Sequence, residues 1–166
     1  MTSAHDVNGP LSPEQAVAAE RAIQRCILNY CRGIDRCDPE LVASSFFEDG
    51  TVDYGSFKGL GSVFAKNATT SLRNNAVATK HFPAAPVIDF TSATTAESET
   101  QVLAWHRCSN EGGEYLENFA GRYFDQLELR DGEWRIAHRT LTHDWDAKFM
   151  VEPAFTPGRF NPSPRN

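Results

Sequence analysis

At 166 residues the chain has the length of one ordinary domain, able to bury roughly 70% of the surface its extended form exposes. Its 22 acidic and 16 basic residues leave a formal charge of -6, and the arginines are scattered among acids. That argues against nucleic acid, which calls for a concentrated positive stripe. No apolar run of about 18 residues points to a membrane, and Met1–Pro10 lacks the basic start and apolar stretch of a secretion signal, so a cytoplasmic protein is expected.

The first ten residues read as a loose arm. Ser12, Pro13 and Gln15 then supply an N-cap, a first-turn proline and a capping-box partner. Val17, Ile23, Ile27, Tyr30 and Ile34 keep helical spacing, which predicts a helix to about Asp35 with one face turned inward. Asp38-Pro39 repeats the start signal for a short helix carrying Leu41, Val42, Ser45 and Phe46. A short strand is expected over 51–54, then a turn over 55–61 with Phe57 as its apolar plug, then a helix over 62–72. Residues 87–90, 96–108, 115–129 and 134 to about 145 read as strands, and Asp131-Gly132 suits a type I′ hairpin turn. Helices followed by long strands imply an α+β fold whose sheet curls strongly over its helices. The expected divisions are an N-terminal arm over 1–11, a domain over 12–150 and a proline-rich C-terminal arm over 151–166.

The four cysteines, at 26, 31, 37 and 108, contain no C-x-x-C pair and read as small core hydrophobes. His81, His106, His138 and His143 form no compact metal-ligand motif, so no metal is expected. Asp35 ends the inward stripe of the first helix and reads as solvent-facing, as a cap, or as a carboxylate in a cavity mouth. Paired with His81 it would have a chemical use. A carboxylate that accepts the proton of one imidazole nitrogen fixes the tautomer and leaves the other nitrogen as a general base. Tyr30 and Tyr54 can each donate to a substrate oxygen or fill core. Strand alternation puts Arg139 with Ala137, Leu141 and His143, opposite Trp134 and Ile136. It is an anion or carbonyl clamp if that face lines a cavity, and a surface residue if it does not. His106 shares the inward-leaning face of Val102 and Ala104.

The runs NYCRGID at 29–35, FFEDGTVDYGSFKG at 46–59, KHFPAAPVI at 80–88 and GRYFDQLELRDGEWRIAHR at 121–139 resemble the SnoaL-like branch of the NTF2-like superfamily. The resemblance implies an α+β cone, with N-terminal helices packed in the concave face of a strongly curved, mainly antiparallel sheet. It implies cofactor-independent lyase chemistry, dehydratase-like elimination, on a small hydrophobic substrate that can be cyclic, polyketide-like or steroid-like. Asp35 and His81 resemble the Asp–His dyad of the family's scytalone dehydratases and hexachlorocyclohexane dehydrochlorinases, and Arg139 the leaving-group arginine of the latter. Tyr54 resembles a carbonyl-orienting tyrosine, Tyr30 a pocket tyrosine of bile-acid dehydratases, and His106 a second pocket histidine. The sequence departs from the scytalone pattern at Gly121 and Tyr123, where that pattern carries serine and asparagine. The same scaffold also hosts isomerases, cyclases and non-catalytic subunits such as the β subunit of ring-hydroxylating dioxygenases. A homodimer or homotrimer is expected, because a sheet with long edge strands needs cover.

Overall fold

The first helix, α1 (Pro13–Arg36), begins at its predicted cap. In the computed structural model, which describes residues 11–152 and 154, Ser12 Oγ accepts from the Gln15 backbone while the Gln15 side chain accepts from the Ser12 backbone at 2.8 Å. The two expected arms therefore lie almost wholly outside the described residues. Ile23, Ile27, Tyr30 and Ile34 face the core as predicted, joined by Ala19, Cys26 and Cys31, whereas Val17 lies on the exposed side. The helix stops at Cys37, which adopts φ 52° and donates its N–H to the carbonyls of the last turn.

The second helix, α2 (Pro39–Ala43), is capped by Asp38 and is shorter than expected, because Phe46 already begins strand β1 (Phe46–Asp53). A three-residue strand β2 (Lys58–Leu60) pairs antiparallel with β1 across the turn that holds Phe57, and α3 (Gly61–Asn75) follows. The stretch after α3, for which the sequence predicts no element, is strand β3 (Ala76–Pro83). Then come β4 (Val87–Phe90), β5 (Thr95–Asn110), β6 (Gly113–Arg130) and β7 (Glu133–Met150). Asp131 and Gly132 both have positive φ, as the type I′ hairpin demands.

The expected cone is corrected by the strand pairing. The sheet runs β2-β1-β7-β6-β5-β3, with β4 following β3 along the same edge of β5. Among the described residues no pairing joins β2 to β3, so the sheet is open rather than strongly curved and closed. It is also mixed, because β1 lies parallel to β7. Strand length misled the expectation. The long strands are used in a continuous β5–β6–β7 meander, and the edge on the β5 side is interrupted between β3 and β4 by Pro83 and Pro86, which cannot donate to a ladder.

Helix α1 packs on β3 and β7, and α3 on β1 and β3, so the core lies between the helices and one sheet face. Two bulges in β7 decide what reaches that core. Leu127 pairs with Ile136 but Gln126 pairs with His138, so Ala137 is extra; likewise Gly121 pairs with His143 and Ala120 with Trp145, leaving Asp144 extra. An extra residue reverses the alternation beyond it. Trp134, Ile136 and Arg139 therefore all turn inward, against the simple alternation read from sequence, and Arg139 is the largest fully buried side chain. Among the described residues no helix is long and apolar enough to cross a membrane.

Candidate active site

Asp35 reaches strand β3 from the last turn of α1. Its Oδ1 lies 2.8 Å from His81 Nδ1, and its Oδ2 accepts the His81 backbone N–H at 3.1 Å. One carboxylate thus holds both the main chain and the ring of the same residue. The side chains are 10% and 16% exposed, for His81 and Asp35 respectively. Across the ladder, the partner of His81 on β5 is Ala104, whose small side chain leaves room for the imidazole. The partner of Thr79 is His106, and Thr79 Oγ1 lies 2.8 Å from His106 Nδ1. The two imidazoles meet edge to face with centroids 5.7 Å apart.

A cavity of about 210 Å³ opens beside them. Tyr30, Tyr54, Tyr123, His81 and His106 give it polar groups; Ile34, Phe64, Ala68, Leu72, Ala104, Phe119 and Leu141 supply an apolar wall. The Tyr30 and Tyr54 hydroxyls are 2.6 Å apart. Burial pushes the Tyr54 hydroxyl up to about 12, against the lowering pull of the nearby Arg139 charge, and holds Tyr30 well above the usual tyrosine value. Both remain donors at neutral pH.

Arg139 is not on the cavity lining. Its Nε and Nη2 donate to the two carboxylate oxygens of Asp125 at 2.6 and 2.7 Å, and both side chains are wholly buried. Its guanidinium carbon lies 4.3 Å from the Tyr30 ring centre and 4.0 Å from that of Tyr123. Burial opposes the charge, but the Asp125 carboxylate outweighs it and keeps the guanidinium above its usual pKa. The position expected to meet a departing group instead carries a cation packed against the cavity's tyrosines.

Asp35, His81, Tyr30, Tyr54 and His106 are thus brought together, with Arg139 one layer behind. His138 and His143 lie apart: His138 is held by Thr51 at 2.7 Å, and His143 pairs with Asp146. Sequence reasoning missed Thr79, Tyr123 and the Asp125 partner of Arg139. Recognising β3 as a proline-ended edge strand would have put Thr79 and His81 on one face. Tyr123 and Asp125, two apart on β6, share the inward face. Among the described residues no three His, Cys, Asp or Glu side chains converge as a metal-ligand set.

An α+β layer of N-terminal helices on an open mixed sheet, with a polar-lined cavity between them, defines an NTF2-like protein. Residues 15–140 match the SnoaL-like domain, and the chain belongs to that family. A candidate scytalone dehydratase from Novosphingobium aromaticivorans is 30% identical, with 89% of this chain and 99% of that one covered and a TM-score of 0.73. A hexachlorocyclohexane dehydrochlorinase from Novosphingobium barchaimii is 20% identical over 86% of this chain and all of that one, with a TM-score of 0.75. The β subunit of a candidate aromatic-ring-hydroxylating dioxygenase from N. aromaticivorans is 20% identical, covers 78% and 92%, and scores 0.63. The last two likenesses concern the fold alone. No curated protein matches the chain.

Proposed function

We propose that the protein is a cofactor-independent lyase that eliminates water, or another small leaving group, from a small hydrophobic substrate. The observation that carries this reading is the Asp35–His81 pair at the wall of an aromatic-lined cavity. Asp35 accepts the Nδ1 proton, which leaves the Nε2 lone pair of His81 as the base. His81 takes the proton next to a carbonyl or similar activating group. The electron pair of that C–H bond becomes the new double bond as the bond to the leaving group breaks. The proton held by His81 then joins a departing hydroxide, which leaves as water. The Tyr30–Tyr54 hydroxyl pair donates to the oxygen on which charge develops, and this interaction strengthens only as the charge grows. Arg139 is a positioning residue in this reading: its charge behind the tyrosines favours negative charge ahead of them.

A cavity of 210 Å³ is below the roughly 300 Å³ at which drug-sized pockets begin, which supports a substrate of one or two rings over a steroid skeleton. The candidate dehydratase at 30% identity favours elimination. Isomerisation or cyclisation would use the same base and differ in returning the proton to carbon, or in closing a ring, without loss of mass. A purely assembling subunit has no need of a buried Asp–His pair on a cavity. Self-association as a dimer or trimer accompanies the catalytic reading.

The test is turnover of a panel of small cyclic β-hydroxy ketones, with products read by mass. His81→Ala should lower kcat by about 10²–10⁴-fold, the usual worth of a general base, while circular dichroism stays unchanged. Asp35→Asn should cost less than loss of His81. Undiminished turnover in His81→Ala would remove His81 as the base, and products of unchanged mass would replace elimination by isomerisation.

A further inference from the structure

We infer that Thr79 sets His106 in the tautomer opposite to that of His81, so the site presents one imidazole as an acceptor and the other as a neutral hydrogen-bond donor. The inference rests on the proposed chemistry for its use but not for its evidence. Thr79 is 2% exposed, and among the described residues its hydroxyl makes one side-chain hydrogen bond, to His106 Nδ1 at 2.8 Å. A buried hydroxyl proton requires an acceptor. If His106 Nδ1 carried the hydrogen, it would donate to Thr79 and strand the hydroxyl proton in the interior. With Nδ1 as acceptor, both groups are satisfied, and the neutral ring carries its proton on Nε2. Asp35 does the reverse to His81, because an ionised carboxylate only accepts; Nδ1 of His81 must then carry the hydrogen and Nε2 the lone pair.

The arrangement follows from the sheet. Thr79 and His81 are two apart on β3, so they share its inward face, and Thr79 stands directly opposite His106 in the β3–β5 ladder. Asp35 from α1 takes one ring and Thr79 from the strand takes the other. His106 lines the cavity beside His81. A neutral imidazole is a poor proton donor, since losing Nε2–H would leave an imidazolate. Its place is to hydrogen-bond a substrate oxygen without changing charge, while His81 alone carries protons. Thr79 is a positioning residue that acts through His106.

Nitrogen-15 NMR of the full-length protein labelled at histidine reads this directly, because protonated and bare ring nitrogens resonate far apart. His106→Gln and His81→Gln variants assign the two rings. The expected result at neutral pH is Nδ1–H for His81 and Nε2–H for His106. Thr79→Ser should keep the His106 pattern. Thr79→Val should lose it, with both His106 tautomers populated and His81 unchanged as the control against general damage. A His106 carrying Nδ1–H in the unaltered protein overturns the inference, as does a His106 pattern indifferent to Thr79→Val. If Thr79→Val fails to fold, the unaltered and Thr79→Ser spectra still decide. The proposed function fails separately: correct tautomers in a protein that eliminates nothing from the panel would leave Thr79's role intact and remove the lyase reading.

Discussion

At the scale of single residues, the site is a set of groups whose protonation is held by their neighbours. The Arg139–Asp125 pair is the most demanding of them, because both charges are out of water. Breaking a buried pair strands the survivor and typically costs about 3–5 kcal/mol, whereas replacing both partners with apolar groups is far milder. Arg139→Met should therefore lower the urea midpoint sharply, and Arg139→Met with Asp125→Leu should recover most of the loss. Equal destabilisation by the single and double changes would mean that the pair does not act as a unit. The tyrosines make a pH prediction. Burial raises Tyr54 to about 12 and holds Tyr30 and Tyr123 well above the usual tyrosine value, whereas an unfolded chain releases these protons near 10. Between those values the native state binds more protons than the unfolded one, so stability is full below about pH 10 and declines as pH rises towards 12. Urea midpoints should be flat to about pH 9 and fall above 10, with a shallower fall in Tyr54→Phe. A midpoint that holds to pH 11 would contradict the assignment.

At the scale of elements, much of the chain was legible because the signals are local. The capping box at Ser12, the Asp38-Pro39 start and the Asp131-Gly132 turn each act through residues three or fewer positions apart, and each structure lies where its signal fell. Strand β3 was not legible. Ala76–Pro83 has no clean alternation, and its pairing with β5 is supplied by residues some twenty to thirty positions away. The bulge at Ala137 was hidden for the same reason. Counting back from the hairpin turn, an unbulged ladder would set Arg139 opposite Phe124, on the outer face; one extra residue sets it opposite Asp125 in the core. The dyad was legible as two residue types but not as a contact, since 46 positions separate them. The second bulge carries its own prediction. A Cβ on Gly121 would lie 2.1 Å from the Thr142 carbonyl oxygen and 2.6 Å from the Phe119 ring, and the carbonyl is backbone that cannot step aside. Gly121→Ala and Gly121→Ser should each cost at least the 1–3 kcal/mol typical of overpacking, read as a fall in melting temperature. The serine of the scytalone pattern is thus incompatible with this strand path, and a Gly121→Ser protein as stable as the parent would show that the path can adjust.

At the scale of the whole molecule, the openness of the sheet matters more than its length. Among the described residues the helices cover one face of the sheet, and the other carries exposed apolar side chains in rows. Phe82, Leu103 and Trp145 fall in line across β3, β5, β6 and β7, with Ala120 between the last two, and are 58%, 43% and 52% exposed. A second row sets Val87 and Phe124 on either side of Glu99. Contiguous apolar rows rimmed by charges such as Arg122 and Asp144 have the composition of a subunit contact, and the proposed dimer or trimer would cover them. The proposed self-association then has a direct measurement. Light scattering at micromolar concentration should give two or three times the mass of one chain, and Leu103→Glu with Trp145→Glu should shift it towards a single chain, because each buries a charge without a partner at the contact. The Asp35–His81 pair and its cavity lie between the helices and the opposite face of the sheet from those rows, so the dissociated variant should keep its fold by circular dichroism. A parent protein that scatters as a single chain would refute the contact, and the apolar rows would then have to be covered by a different partner.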